Sequence, residues 1–297
     1  MADLAIETIN LHKSFHGRPA LTGLDIRVPL GSIYGFLGRN GAGKTTTIKT
    51  LMGILKPDRG SVSVLGIPLS SAKNGVRIRE RVGFVTEDKQ LYPYMTVKQV
   101  IQFTRHFFPR WRHDLERIYL SKFDLPPHKK IPDLSKGMRS KLMLLLAVAR
   151  GAELLILDEP TDGLDPAAVE ELLRELVSLS AAEGTTIFFS SHQLHEVEQI
   201  ADQITIMEHG RSVISGTIDD LKGRYQRLHI TFPETPIHPI RWLEGVERVT
   251  QDGRTVSLLA SRNTSALLQQ ARSFPGTDVQ VAPVTLKEIF LEHAKES

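Results

Sequence analysis

Eight consecutive residues, Gly38-Arg39-Asn40-Gly41-Ala42-Gly43-Lys44-Thr45, have the spacing G-x-x-x-x-G-K-T. That spacing suits the holding of phosphate. Glycines let backbone N–H groups curl around an anion without Cβ clashes. Lys44 supplies a charge for β- and γ-phosphates, and the Thr45 hydroxyl can ligate Mg²⁺. A second candidate pair, Asp158-Glu159, closes the aliphatic run Leu154-Leu155-Ile156-Leu157. A carboxylate at the C-terminal tip of a strand beside a phosphate loop sits where Mg²⁺ is held. Asp158 is therefore expected on the metal side, acting through a water. Glu159 would project toward the γ-phosphate, where a base polarises the attacking water. The plainer alternative is two solvated carboxylates at a strand end. It is weakened by the phosphate loop, which needs such a partner.

These residues need a frame. Ile33 to Leu37 reads as a buried strand, and Thr46 to Met52 as a helix that stops at Gly53. Strand, glycine loop and helix together are the context the motif requires. The helix N-terminus adds free N–H groups and the positive end of its dipole. Upstream, Leu24 to Val28 reads as a strand, followed by the turn Pro29-Leu30-Gly31-Ser32. Lys13 to Gly17 reads as a loop carrying one aromatic, Phe15. Ser61 to Gly66 and Val82 to Val85 are further strands, the second ending in the polar stretch Thr86 to Lys89. Residues 96 to 150 are mostly helical in pattern, with Thr96 as N-cap and a long helix from Ser135 onward. Leu154 to Leu157 has the continuous apolar character of a strand covered on both faces. Asp165-Pro166 opens a helix, with Asp as N-cap and Pro in the first turn. Thr185 to Phe189 is a strand that leads to Ser190-Ser191-His192. Leu194 to Ile200 is a helix and Gln203 to Met207 a strand. Alternating strands and helices predict a layered α/β fold.

Composition shifts near Gly223. Beyond it, Asp252-Gly253 is a hairpin signal between strand-like runs. Thr264 to Phe274 is helical, and Thr285-x-x-Glu288 looks like a capping box opening the helix Leu286 to Ala294. This predicts a main domain over 1–222 and a small α+β domain over 223–297. The 297 residues are 41% hydrophobic and 24% charged, ordinary for a globular protein. A net charge of +3, spread along the chain, does not argue for nucleic acid. The absence of cysteine excludes disulfides and thiolate metal sites. No basic segment followed by an apolar stretch opens the chain, so no secretory leader is expected. No run of about 18 apolar residues suggests a membrane span.

Five elements occur in a fixed order: Gly38 to Thr45, Leu134-Ser135-Lys136-Gly137-Met138, Leu154 to Glu159, Gly163-Leu164-Asp165, and His192 after a strand. In that order they resemble the nucleotide-binding subunit of an ATP-binding-cassette (ABC) transporter, over residues 4 to about 220. The resemblance implies a P-loop NTPase fold, an ABC ATPase domain with an antiparallel β subdomain and a helical subdomain at about 89–152. It implies ATP and Mg²⁺ as cofactors, with Arg39, Asn40, Ala42 and Thr46 joining the rest of the loop around the phosphates. Phe15 matches the aromatic that stacks on adenine. Ser135 and Gly137 match the signature that reaches the γ-phosphate of ATP held by a second subunit. Asp165 matches the loop crossing the dimer interface, and His192 the switch histidine at the γ-phosphate. Glu87 falls where the family presents glutamine to metal and water, and is carried over as cofactor- and metal-binding.

Three departures stand out. Lys136 and Met138 replace the usual glycine and glutamine of the signature, while Ser135 and Gly137 are kept. Glu87 brings a carboxylate where an amide is usual. Similar departures, and the stretch Leu91-Tyr92-Pro93-Tyr94-Met95-Thr96, resemble ABC-2-type exporter subunits. The implied function is ATP hydrolysis between two subunits, with a homodimer expected, driving export through a separate membrane permease docked on residues 91–96. The chain would sit on the cytoplasmic face of the cell membrane. The alternative is a soluble ABC-type ATPase acting on nucleic acid or ribosomes. One cassette, no cysteine and no heptad run count against it, and no nucleic-acid partner is expected.

Overall fold

The computed structural model describes residues 3–86, 88, 91–237 and 240–293. The chain divides into two compact units, Met1–Ser215 and Gly216–Ser297. In the first, β1 (Leu4–Phe15) and β2 (Arg18–Pro29) form an antiparallel hairpin. Its turn is His16-Gly17, with φ of 47° and 78°. Two consecutive positive φ values match the right-handed twist of the flanking strands. Phe15 is thus the last residue of a strand, which corrects the loop expected from Lys13 to Gly17. The chain continues through β3 (Ile33–Gly38), α1 (Lys44–Leu51), β4 (Arg59–Val64), β5 (Ile67–Pro68), α2 (Ala72–Arg81) and β6 (Val82–Val85). Helices α3 (Val97–Arg105), α4 (His113–Lys122) and α5 (Lys136–Ala149) follow. Then come β7 (Leu154–Asp158), α6 (Pro166–Glu183), β8 (Thr186–Ser191), α7 (Leu194–Ile200), β9 (Gln203–Glu208) and β10 (Arg211–Thr217).

Two sheets result. One is antiparallel, in the order β2-β1-β4-β5, and the other runs β10-β9-β3-β8-β7-β6. The pairs β6–β7, β7–β8, β8–β3 and β3–β9 are parallel. Every residue of β3, β7 and β8 is buried, as expected of parallel strands covered on both faces. Tyr34 and Phe36 of β3 pack on Phe188 of β8, with ring centroids 5.9 and 5.2 Å apart. The parallel register matters most for the site. Leu37 lies opposite Ser191, and Asp158 opposite Ser190. The C-terminal ends of β3, β7 and β8 therefore emerge along one edge, where ligands bind in open parallel sheets. Helix α2 was not apparent in the sequence. Its Ser71 cap accepts from Asn74 N, but only Gly75 and Ile78 are buried, so few apolar residues mark it in the sequence.

The second unit holds α8 (Ile218–Arg224), β11 (Gln226–Thr231), β12 (Val246–Asp252), β13 (Thr255–Ala260), α9 (Thr264–Ser273), β14 (Asp278–Ala282) and α10 (Leu286–His293). Its antiparallel sheet runs β12-β13-β11-β14. Leu228, Ile230, Val256 and Leu258 of the sheet pack with Leu267 and Ala271 of α9 in a core of their own. Asp252 pairs with Thr255, so the hairpin turn is Gly253-Arg254, one residue later than Asp252-Gly253. Thr285 and Glu288 exchange backbone-to-side-chain bonds of 2.9 and 3.4 Å, the capping box read from the sequence.

Candidate active site

Helix α1 starts at Lys44, with Gly43 as N-cap at φ 112° and no side-chain cap. A Cβ on Gly43 would lie 2.7 Å from the Ala20 carbonyl oxygen, so both space and conformation require glycine. An N-terminus without a side-chain acceptor leaves its first N–H groups for an anion. They face a cavity of about 340 Å³ whose lining includes Asn40, Gly41, Gly43, Lys44, Thr45 and Thr46. Glu159, Asp162 and His192 close it from the other strand ends.

The charged groups form a connected chain. Lys44 Nζ donates to the Gly38 carbonyl at 2.7 Å and lies 3.0 Å from Glu159 Oε1 as an ion pair. The other oxygen, Glu159 Oε2, is 2.9 Å from His192 Nδ1. Lys44 and Glu159 are buried, whereas the His192 side chain is 38% exposed. Glu159 itself sits at φ 47°. A left-handed backbone strains a residue with a Cβ, and such strain clusters at functional sites. Here it turns the chain immediately after β7, so that consecutive carboxylates serve different neighbours. Asp158 is held by Ser190, whose Oγ donates to Asp158 Oδ1 at 2.7 Å. The same hydroxyl accepts from Glu159 N at 3.0 Å. Burial pushes the Asp158 carboxyl above its ordinary value, and hydrogen bonds from Ser190 and Thr45 pull the other way. Thr45 and Asp158 therefore face each other across the loop.

Not all the sequence-derived residues lie in this cavity. Ser135 and Gly137 do not line it. Ser135 caps α5, accepting from Met138 N at 3.2 Å. Its neighbour Lys136 packs its amine on Gly163, and Gly137 sits beside Ala168 of α6. The signature segment and the Gly163–Asp165 loop thus form a second cluster. Asp165 is the N-cap of α6, accepting from Ala168 N at 2.9 Å. Phe15 is 41% exposed at the end of β1, with Lys13 Nζ 5.6 Å from its ring centroid. Asp58 holds that lysine at 2.8 Å. Glu87 lies outside the described residues. Sequence reasoning missed Asp162 in the cavity wall and Ser190 as the bridge between Asp158 and Glu159. The Asp-Glu-Pro-Thr-Asp run was a signal for the first. The second depends on strand pairing, which the sequence does not display.

A family model described as ABC transporter matches residues 21–162. The chain is 34% identical over 244 residues to an uncharacterized ABC transporter ATP-binding protein, YhaQ, of Bacillus subtilis (strain 168), covering 80% of this chain and 79% of that protein. It is 37% identical over 216 residues to Nod factor export ATP-binding protein I of Burkholderia lata, covering 71% and 70% respectively. The solved structure of cbiO1 from Clostridium perfringens, part of the ABC transporter complex cbiONQ, superposes with a TM-score of 0.66 at 28% identity. That superposition covers 73% of this chain and 90% of the other.

Proposed function

Because this chain belongs to the ABC transporter family, as an ATP-binding protein, we propose that the Lys44–Glu159–His192 array is its hydrolytic site. The chain is an ATPase subunit that powers transport by a separate membrane permease. The observation that carries the site assignment is the continuous contact from the phosphate-loop lysine through Glu159 to His192 within one cavity.

In this reading Lys44 and the N-terminal N–H groups of α1 bind the β- and γ-phosphates. Glu159 accepts a proton from the water that attacks the γ-phosphate, and His192, bonded to Glu159, holds the carboxylate in place and reaches the transferred group. Thr45 and Asp158 suit Mg²⁺. They offer two hard oxygen donors that face each other across the phosphate loop. An ion that keeps waters and phosphate oxygens as its remaining ligands fits such a sparse set. Bound Mg²⁺ would neutralise charge on the triphosphate.

Ser135, Gly137 and Asp165 would serve the site of a second copy, which the separation of their cluster from the cavity supports. Phe15, exposed at a strand end, offers a face for adenine. A permease segment would dock at the aromatic cluster formed by Tyr92, Tyr94, Phe103 and Phe107. Their ring centroids lie 5.0 to 5.8 Å apart, beside a groove of about 670 Å³. No described helix is long and apolar enough to cross a membrane, so attachment to the cytoplasmic face would come through that partner. The relative named for Nod factor export supports export as the direction. The test is steady-state phosphate release and recovery of an integral membrane protein with the chain from detergent extract. Undiminished hydrolysis in Lys44→Ala or Glu159→Gln overturns the site assignment.

A further inference from the structure

We propose that Glu196 is a positioning residue that ties the loop carrying Glu159 to the strand tip carrying His192. This rests on Glu159 and His192 being the hydrolytic pair. Glu196 lies on α7 and is 0% exposed. Thr161 Oγ1 and Ser191 Oγ both donate to its Oε2, each at 2.8 Å. Both donors are themselves buried. Thr161 stands two residues beyond Glu159, and the turn is closed by Asp162 N donating to the Glu159 carbonyl at 3.1 Å. Ser191 immediately precedes His192. Its hydroxyl also accepts from Gln193 N at 2.9 Å, so the backbone is pinned on both sides of the histidine. One carboxylate oxygen therefore holds the two segments that deliver the base and its histidine.

The rest of the carboxylate argues for a role beyond packing. Its other oxygen, Oε1, is buried and has no hydrogen-bond partner among the described residues. A buried carboxylate with an unmet acceptor lowers stability, and a neutral side chain would fill the same space at less cost. What Glu196 provides is one acceptor at a fixed point between two loops. Losing it frees Thr161 and Ser191 to shift, and with them the 2.9 Å contact between Glu159 Oε2 and His192 Nδ1. The Lys44 bond to the Gly38 carbonyl and the N–H groups of the phosphate loop do not pass through Glu196; of the lysine's contacts only its pair with Glu159 lies on a segment that Glu196 ties. The effect should therefore fall chiefly on turnover, with any change in nucleotide binding small beside it.

The experiment measures kcat, KM for ATP, MgADP affinity and melting temperature for Glu196→Leu, Glu196→Gln, Thr161→Val and Ser191→Ala. Glu196→Leu should lower kcat by about tenfold or more, since small misplacements of reacting groups are costly. KM and MgADP affinity should stay within about twofold. Glu196→Gln, whose amide oxygen can accept both hydroxyls, should keep kcat within about threefold of the parent. Thr161→Val and Ser191→Ala should each lower kcat, yet add nothing in the Glu196→Leu background, because they act through the same oxygen. An unchanged kcat in Glu196→Leu, a Gln variant as impaired as the Leu variant, or full additivity overturns the proposal. If Glu196→Leu does not fold, the two hydroxyl deletions decide, and unchanged kcat in both overturns it. Glu159→Gln and His192→Ala run alongside. Retained turnover in those two would instead overturn the assignment of the hydrolytic pair.

Discussion

Lys44 Nζ lies 3.0 Å from Glu159 Oε1, and both side chains are buried. The lysine assigned to phosphate and the carboxylate assigned to water are thus partners of each other. Under that assignment a triphosphate arriving at Lys44 would compete with Glu159 for the same ammonium. Glu159→Gln should therefore bind ATP more tightly while losing turnover by roughly 10²-fold or more, consistent with removal of a general base. Lys44→Met should destabilise the fold, since breaking a buried pair from one side costs about 3–5 kcal/mol. Lys44→Met with Glu159→Gln should recover part of that loss. Chemical denaturation of the two single variants and the double variant checks it, and strictly additive losses would refute the coupling.

Asp158 gives a pH prediction. Burial raises its carboxyl above the ordinary value, so the folded protein keeps the proton to a higher pH than the unfolded chain does. The associated stability is complete below the unfolded-chain value of about 3.9 and is lost as pH rises through the folded value. Asp158→Asn keeps the acceptor for Ser190 and removes the charge. Its melting temperature should exceed the parent's at neutral pH and vary less with pH above about 4, while Mg²⁺-dependent turnover disappears. Melting profiles that run parallel for the two proteins would contradict the burial argument.

The proposed adenine contact of Phe15 can be tested apart from phosphate binding. Stacking of a base on an aromatic ring is worth about 1–3 kcal/mol, so Phe15→Ala should weaken ATP binding by about tenfold. Inorganic tripolyphosphate has no base and should bind both proteins alike. Calorimetry with the two ligands makes the comparison, and equal losses for both would place Phe15 in the fold rather than at adenine.

Asp165 caps α6, and a pair of substitutions can part that role from the proposed contact with a second copy. Asp165→Ala removes the N-cap of α6 and should cost about 1 kcal/mol. Asp165→Ser restores a capping oxygen and with it most of the stability. If Asp165 also meets a second copy, the serine variant stays impaired in turnover. A serine variant with full stability and full turnover would reduce Asp165 to a cap.

What the sequence disclosed follows a physical pattern. The glycine loop was legible because position 43 tolerates only glycine and because Lys44 opens α1 directly after it. Asp165-Pro166 was legible because capping is local, settled within four residues. The burial of β3, β7 and β8 was legible from their uninterrupted apolar runs. Hidden relationships depend on strand order. Ser190 reaches Asp158 because β7 and β8 are neighbours in register. Glu196 reaches Thr161 across 35 positions of sequence. Phe15 was placed in a loop because His16-Gly17 lacks the Asn or Asp that usually marks a two-residue hairpin turn. Helix α2 escaped because its exposed face is mostly charged and its buried face is small.

The left-handed backbone at Glu159 bears on how such a site decays when hydrolysis is no longer selected. Glycine or asparagine would relieve the strain at that position. Either one alone leaves the Lys44 ammonium buried without its partner, and loss of Lys44 alone leaves Glu159 in the same position. Each first step is opposed, and the two together are not. Descendants that have shed catalysis should therefore have lost residues 44 and 159 jointly, and position 159 should then settle on a residue at ease with positive φ.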